Sequence, residues 1–257
     1  MVRYKMKYIY GPVPSWRLGR SLGVDLISGE KACSFDCIYC QLGKTVRHII
    51  KRQVFVPVAE IVKELENLPR LNIDYITLSG TGEPTLALNL GDVIEKVKGR
   101  FNKPVAVLTN SSLLHDPQVR KELGLADLVV AKLDAPDEKI FDVVNRPSKG
   151  ITFYMITEGI KRFNHEYPGK FALQIMFVPQ NRDQAAAMAR VAKEIDPVEV
   201  QLNTPLRPCP VKPLPPEELA QIKKLFEPLK VYSVYDVARP ETRPMDEKET
   251  RRRRPEA

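Results

Sequence analysis

The sequence predicts an α/β protein: a partial (β/α)6, TIM-like barrel of parallel strands, with an N-terminal extension, a C-terminal helix and a disordered tail. Three observations predict it. Short apolar runs alternate with amphipathic stretches about six times over. The runs are apolar almost throughout, as strands covered on both faces are. Gly, Pro and polar residues follow the runs, at the edge where parallel sheets bind ligands.

The strand candidates are "GVDLI" (23–27), "YITLSG" (75–80), "VAVLTN" (105–110), "LVVAKLD" (128–134), "FALQIMFV" (171–178) and "VEVQLN" (198–203). Helical patterns lie between them. "VAEIVKELENL" (58–68) follows Pro57, a residue suited to a first turn. The others are "LGDVIEKVKGRF" (90–101), "DEKIFDVV" (137–144), "FYMITEGIKRF" (153–163) and "RDQAAAMARVAKEI" (182–195). A last helix, "PEELAQIKKLF" (216–226), follows a Pro-rich connection. Repeated βα units imply right-handed crossovers and a parallel sheet. One unit spans 1–238, with its core at about 20–205. Residues 239–257 have almost no apolar side chains, and that composition predicts a disordered basic tail.

Composition narrows the function classes. With 43% hydrophobic and 28% charged residues, the chain reads as an ordinary globular protein. Runs such as "ADLVVA" are too short to span a bilayer, so no membrane partner is expected. Four cysteines, three of them within eight residues, point to a reducing, cytoplasmic setting and to metal or redox work. The net charge is +8, and residues 1–52 alone carry +7. That bias predicts an anionic partner near the cysteines, RNA among the candidates; the alternative is a solvated basic surface.

The cysteines carry the chemistry. Cys33, Cys37 and Cys40 stand in "CSFDCIYC". On a helix this spacing would give a small apolar stripe. Structural zinc needs four ligands, and His48 is near enough in sequence to complete a Cys3His set in a nucleic-acid module. A [4Fe–4S] cluster on three thiolates leaves one iron open, which accounts for the missing fourth thiol. The remaining thiol, Cys209 in "QLNTPLRPCP", lies just past the sixth strand. It is either a catalytic thiol near the reacting centre or an inert side chain in a Pro-rich connector.

The C-x3-C-x2-C spacing with Tyr39 before the last cysteine, together with "GTGEP" (Gly80–Pro84) after the second strand, resembles the radical S-adenosylmethionine (SAM) enzymes. Within that family, "YGPVPSWRLGRSLGVDL" followed by "CSFDCIYCQLGKT" resembles Fe–S oxidoreductases related to the wybutosine-synthesis enzymes of tRNA. The resemblance implies a [4Fe–4S] cluster on Cys33, Cys37 and Cys40, with SAM on the fourth iron. It implies an external one-electron donor and a 5′-deoxyadenosyl radical that takes a hydrogen atom from the substrate. Tyr39 would offer its backbone to the adenine. Glu83 would accept from the SAM amino group, with Gly82 allowing close approach. Thr109 and Asn110 would meet the ribose, or else cap a turn. Lys132 and Asp134 share a strand face, so Lys132 would meet the SAM carboxylate or pair with Asp134. A compact activase that makes glycyl radicals is a second reading within the same family.

Overall fold

The computed structural model describes residues 7–167 and 169–255. Its main sheet has eight strands in the order β1-β2-β5-β6-β7-β8-β9-β10. The six strands the sequence predicts are all present and parallel. They are β2 (Gly19–Val24), β5 (Tyr75–Leu78), β6 (Val105–Thr109), β7 (Leu128–Lys132), β8 (Phe171–Met176) and β9 (Glu199–Asn203). They curl into the half-barrel that the alternation implied. Two short strands, β3 (Ala32–Cys33) and β4 (Arg47–His48), pair beside the sheet and brace the cysteine loop.

The first strand ends earlier than its apolar run suggests. Asp25 is fully buried, and its Oδ1 accepts from the backbone N–H groups of Ile27 and Ser28 at 3.1 Å each. That carboxylate turns the chain out of the sheet after Val24. Two flanking strands escaped the sequence reading. β1 (Ile9–Ser15) runs antiparallel to β2 at the sheet edge. Pro12 and Pro14 suit an edge strand, which need not donate on both sides, and Gly11 at φ 94° sits in the irregularity of its register. β10 (Val231–Ser233) adds a seventh parallel strand, but three residues are too few to show a period.

The helices cover the outer face. They are α1 (Val58–Glu66), α2 (Leu90–Arg100), α3 (Pro117–Leu123), α4 (Glu138–Val144), α5 (Phe153–Glu166), α6 (Ala185–Ile195) and α7 (Pro216–Lys224). Asp116, Asp137 and Thr152 each cap a helix by accepting a backbone N–H two or three residues on. Apolar stripes such as Ile61 and Leu65 on α1, or Ile156, Ile160 and Phe163 on α5, are buried against the sheet. Among the described residues no helix is long and apolar enough to cross a membrane.

The tail overturns an expectation. Residues 239–255 are placed against the barrel, and α8 (Glu247–Arg253) packs along β1. Polar contacts take the place of the missing apolar side chains. Arg253 is 0% exposed; its Nε donates to Asp25 Oδ2 at 2.7 Å and its Nη1 to Glu249 Oε2 at 2.7 Å. Met245 N–H donates to the Gly11 carbonyl at 2.7 Å, and Gly11 N–H donates to Thr250 Oγ1 at 3.0 Å. Composition alone reads such a segment as disordered because it counts apolar area and misses a buried ion pair.

Candidate active site

One cleft opens at the C-terminal ends of the parallel strands. It is lined by Cys33, Cys37 and Cys40 after β2, by Gly82 and Glu83 after β5, and by residues at the ends of β6 to β9. Parallel sheets place ligands at this edge.

Two loops meet here through the backbone. Glu83 N–H donates to the Ala32 carbonyl at 3.1 Å, and Ala32 bridges Gly82. A Cβ on Gly82 would lie 1.9 Å from the Ala32 oxygen, so only glycine permits this approach. The expected closeness of Gly82 is therefore, first of all, closeness to the cysteine loop.

Glu83 is buried with both oxygens engaged. Oε1 accepts from Thr85 N–H at 3.0 Å, Thr85 Oγ1 at 2.7 Å and Thr109 Oγ1 at 2.7 Å. Oε2 accepts from Asn110 N–H at 2.6 Å. Burial raises its pKa, and these four donors oppose that rise. Thr109 and Asn110 line the cleft but are already committed: one holds Glu83, and the other also reaches the cysteines.

The thiols are partly buried and unbridged. Burial pushes Cys33 up to about 12, with Cys37 adding to the rise; burial likewise pushes Cys37 up to about 11. Two neighbouring thiols that resist ionisation fit a site whose thiolates need a cationic partner. N–H donors face the sulfurs as well. Phe35 N–H lies 3.4 Å and Asn110 Nδ2 3.5 Å from Cys33 Sγ, and Asn145 Nδ2 lies 3.6 Å from Cys37 Sγ. Such donors steady cluster thiolates. This donor set fits a [4Fe–4S] group. His48, the fourth ligand that the zinc reading needs, is exposed on β4.

Lys132, Asp134 and Tyr39 form one network. Lys132 Nζ donates to Tyr39 Oη at 2.6 Å and lies 3.5 Å from Asp134 Oδ2. Tyr39 Oη donates to that same carboxylate oxygen, and Asn145 Nδ2 donates to it at 2.8 Å. Asp134 Oδ1 accepts from Met176 N–H at 2.7 Å. Asp134 is thus 2% exposed and does not line the cleft, the arrangement of the internal Lys132–Asp134 pair. Burial, then the charge of Asp134, hold the Tyr39 phenol well above its ordinary pKa. Lys132 takes the internal pairing and still borders the cleft.

Cys209 does not line the cleft either. Its Sγ donates to the Val211 carbonyl at 3.1 Å, and it packs with Cys37 and Met176 around Tyr39, Val144 and Val178. The sulfur is thus held within the Pro-rich connector, packed beside Tyr39 and not on the cleft wall.

The +7 of residues 1–52 is also partly consumed. Arg20 pairs with Asp74 at 2.8 Å, Lys31 donates to the Gly43 carbonyl at 2.6 Å, and Arg52 pairs with Glu122. Arg3 and Lys5 lie outside the described residues.

Sequence reasoning missed Asn145, Arg17 and Arg254. Asn145 caps the end of α4 just before "RP", a visible stop signal, but its reach to Cys37 needs the fold. Arg17 and Arg254 line the cleft from opposite ends of the chain.

Comparison with known proteins agrees with the geometry. A profile of the Radical SAM superfamily matches residues 30–192. A UPF0026 protein of Synechocystis sp. is 45% identical over 207 residues, 79% of this chain and 77% of that one. Another UPF0026 protein, from Methanocaldococcus jannaschii, is 38% identical over 228 residues, 86% of this chain and 70% of that one. Among solved structures, native anSMEcpe with bound AdoMet superposes with a TM-score of 0.62 at 18% identity, covering 84% of this chain and 64% of that one. A radical SAM methyltransferase from Sphaerobacter thermophilus gives 0.59 at 14% identity, covering 83% and 65%. At these identities the structures share the fold.

Proposed function

The chain belongs to the radical SAM superfamily, whose members use a [4Fe–4S] cluster and SAM, and from that premise we propose the residues and the substrate class of its reaction. Cys33, Cys37 and Cys40 hold the cluster. SAM lies in the cleft against Glu83, the Tyr39 backbone, Thr109, Asn110 and Lys132. The substrate is anionic. The single observation behind this reading is the Ala32–Gly82 bridge, which fixes the three-thiol loop to the "GTGEP" loop beside one cleft.

When bound, the cluster supplies one electron that splits the SAM sulfonium, and an external one-electron donor restores it. This chain's residues bind and orient. Asn110 and Asn145 donate toward Cys33 and Cys37, which favours their thiolate forms. Glu83 is fixed by Thr85, Thr109 and Asn110, so its carboxylate is preorganised for the SAM amino group. Asp134 and Tyr39 are positioning residues that hold Lys132 at the cleft wall.

RNA as the substrate, which the tRNA-enzyme resemblance suggests, rests on the N-terminal charge. Arg47 and Lys51 are exposed and suit that role; Arg20, Lys31 and Arg52 are occupied within the fold. The cations lining the cleft favour an anion of some kind over the glycyl-radical reading, whose substrate is a protein backbone.

Anaerobic reconstitution tests the proposal. The expected protein is brown, holds about four irons per chain, and forms 5′-deoxyadenosine from SAM with a reductant. Cys37→Ala abolishes both, while Cys209→Ser keeps both. A colourless zinc protein, or Cys37→Ala with full iron, refutes the assignment.

A further inference from the structure

The cleft carries more positive charge than its SAM contacts use. Five cations line it, Arg17, Lys132, Arg207, Arg239 and Arg254, against one carboxylate, Glu83. Lys132 has its partners in Tyr39 and Asp134. The four arginines come from three separate places. Arg17 stands in the β1–β2 turn, Arg207 follows β9, and Arg239 and Arg254 belong to the ordered tail.

Arg17 is the informative one. Its Nε and Nη1 are buried and have no hydrogen-bond partner. Its guanidinium carbon lies 5.0 Å from the centre of the Trp16 ring, which supplies a face but no counter-charge. Burial, and then Arg254, Arg207 and Arg239, lower its pKa to about 9. The cations therefore sense one another across the cleft. Arg254 Nη2 donates to Ser79 Oγ at 3.1 Å, and Arg207 Nη1 donates to Gln41 Oε1 at 3.2 Å. The Ser79 hydroxyl brings Arg254 no counter-charge. Two buried guanidinium N–H groups without an acceptor are costly, because buried polar groups in natural folds are otherwise paired.

We propose that Arg17, Arg207, Arg239 and Arg254 bind a phosphate group of the substrate, a small molecule carrying a phosphomonoester or diphosphate. This rests on the radical SAM reading of the same cleft. One SAM carboxylate would answer one arginine; a group with two or more charges and several oxygens answers the set, and guanidinium forks match phosphate oxygens in pairs. An RNA backbone is disfavoured. These arginines converge inside a cleft instead of tracking a surface, and three of the basic residues that would extend the track are engaged elsewhere.

The test uses the reconstituted full chain with three probes: inorganic pyrophosphate, acetate and a mixed-sequence RNA oligonucleotide. Calorimetry should show pyrophosphate binding and no acetate binding at equal ionic strength. Arg17→Met and, separately, Arg254→Met should each weaken pyrophosphate at least tenfold. Without any ligand, Arg17→Met should unfold at a higher temperature than the wild type, because an unpaired buried cation has gone. A merely structural arginine would shift that midpoint downward. Wild-type protein that holds iron and binds SAM but ignores pyrophosphate overturns this inference and leaves the radical SAM reading standing. Protein that binds pyrophosphate yet takes up no iron and no SAM sinks the radical SAM reading instead. RNA binding that depends on Arg47 and Lys51 but not on Arg17 overturns the inference in favour of a nucleic-acid substrate.

Discussion

Replacing Arg253 with Met should uncouple the tail from the barrel and loosen the Gly80–Pro84 loop together. Arg253 is buried, with Nε on Asp25 Oδ2 at 2.7 Å and Nη1 on Glu249 Oε2 at 2.7 Å. Its loss strands Asp25, itself 0% exposed, beside Thr81 and the 27–28 turn. Breaking one side of a buried pair costs about 3–5 kcal/mol. For a domain of this size that lowers the melting midpoint by about 6–20 °C. The local effect has a direction too. Asp25 accepts from Thr81 N–H at 3.2 Å and from its hydroxyl, and Gly80 packs so closely that a Cβ there would meet Asp25 Cγ at 2.2 Å. Thr81 is two residues from Glu83, so the carboxylate proposed to meet SAM should lose its fixed position. Thermal unfolding and amide hydrogen exchange measure both effects. Exchange should rise along α8 and at Thr81 well before global unfolding. The double variant Asp25→Asn with Arg253→Met should lose less than the sum of the singles, because no bare charge remains. An Arg253→Met protein that melts like the wild type, with α8 equally protected, would refute the latch.

Other outcomes follow from the same contacts. Gly82→Ala should cost roughly 1–3 kcal/mol and reduce iron retention, since its Cβ would meet the Ala32 oxygen at 1.9 Å; normal stability and iron content would contradict the bridge. Glu83→Gln should keep iron but weaken SAM about 10- to 150-fold, as expected from losing a charge-assisted hydrogen bond of roughly 1.5–3 kcal/mol; an unchanged dissociation constant removes Glu83 from the SAM site. The side chain and backbone N–H of Arg20 hold Asp74 down to about 2. A folded pKa below the unfolded one gives stability that is present above the usual carboxylate range and lost as pH falls toward that value. Asp74→Asn should therefore flatten the acid limb of the stability curve, by a small amount because the pair is exposed.

The parallel strands and the three-thiol loop were legible because each depends on local pattern. Val107, Val129 and Leu173 lie in apolar runs that suit a strand covered on both faces. What was not legible depends on contacts far apart in sequence. The link from Asp134 to Tyr39 spans 95 residues, and the one from Arg253 to Asp25 spans 228. α8 did carry a signal: Asp246 as cap, Glu247 and Glu249 in the first turn, and Arg251 to Arg253 in the last. Low apolar content outweighed it in the reading of the tail. Thr109 and Asn110 show the opposite problem. Their place at the end of β6 was evident, but spacing gives no sign that Thr109 Oγ1 is spent on Glu83.

The buried arginines of this chain divide by what answers their charge. Arg253 has Asp25 and Glu249, Arg120 has Glu166 at 2.7 Å, and Arg52 has Glu122. Each of these ties together segments distant in sequence, and the pairing explains its burial without a ligand. Arg17 has buried donors and no carboxylate; the nearby charges that act on it are three further arginines. A fold that pairs its other buried guanidiniums would gain stability by replacing this one with an apolar side chain. Keeping it makes sense where an anion arrives from outside, because the same lack of a partner that weakens the empty cleft strengthens its hold on that anion. The tail then has two roles from adjacent residues. Arg253 fixes α8 to the barrel, and Arg254, next in the chain, is thereby delivered to the cleft wall. Releasing the latch should consequently weaken pyrophosphate binding even though the Arg253 side chain does not itself line the cleft.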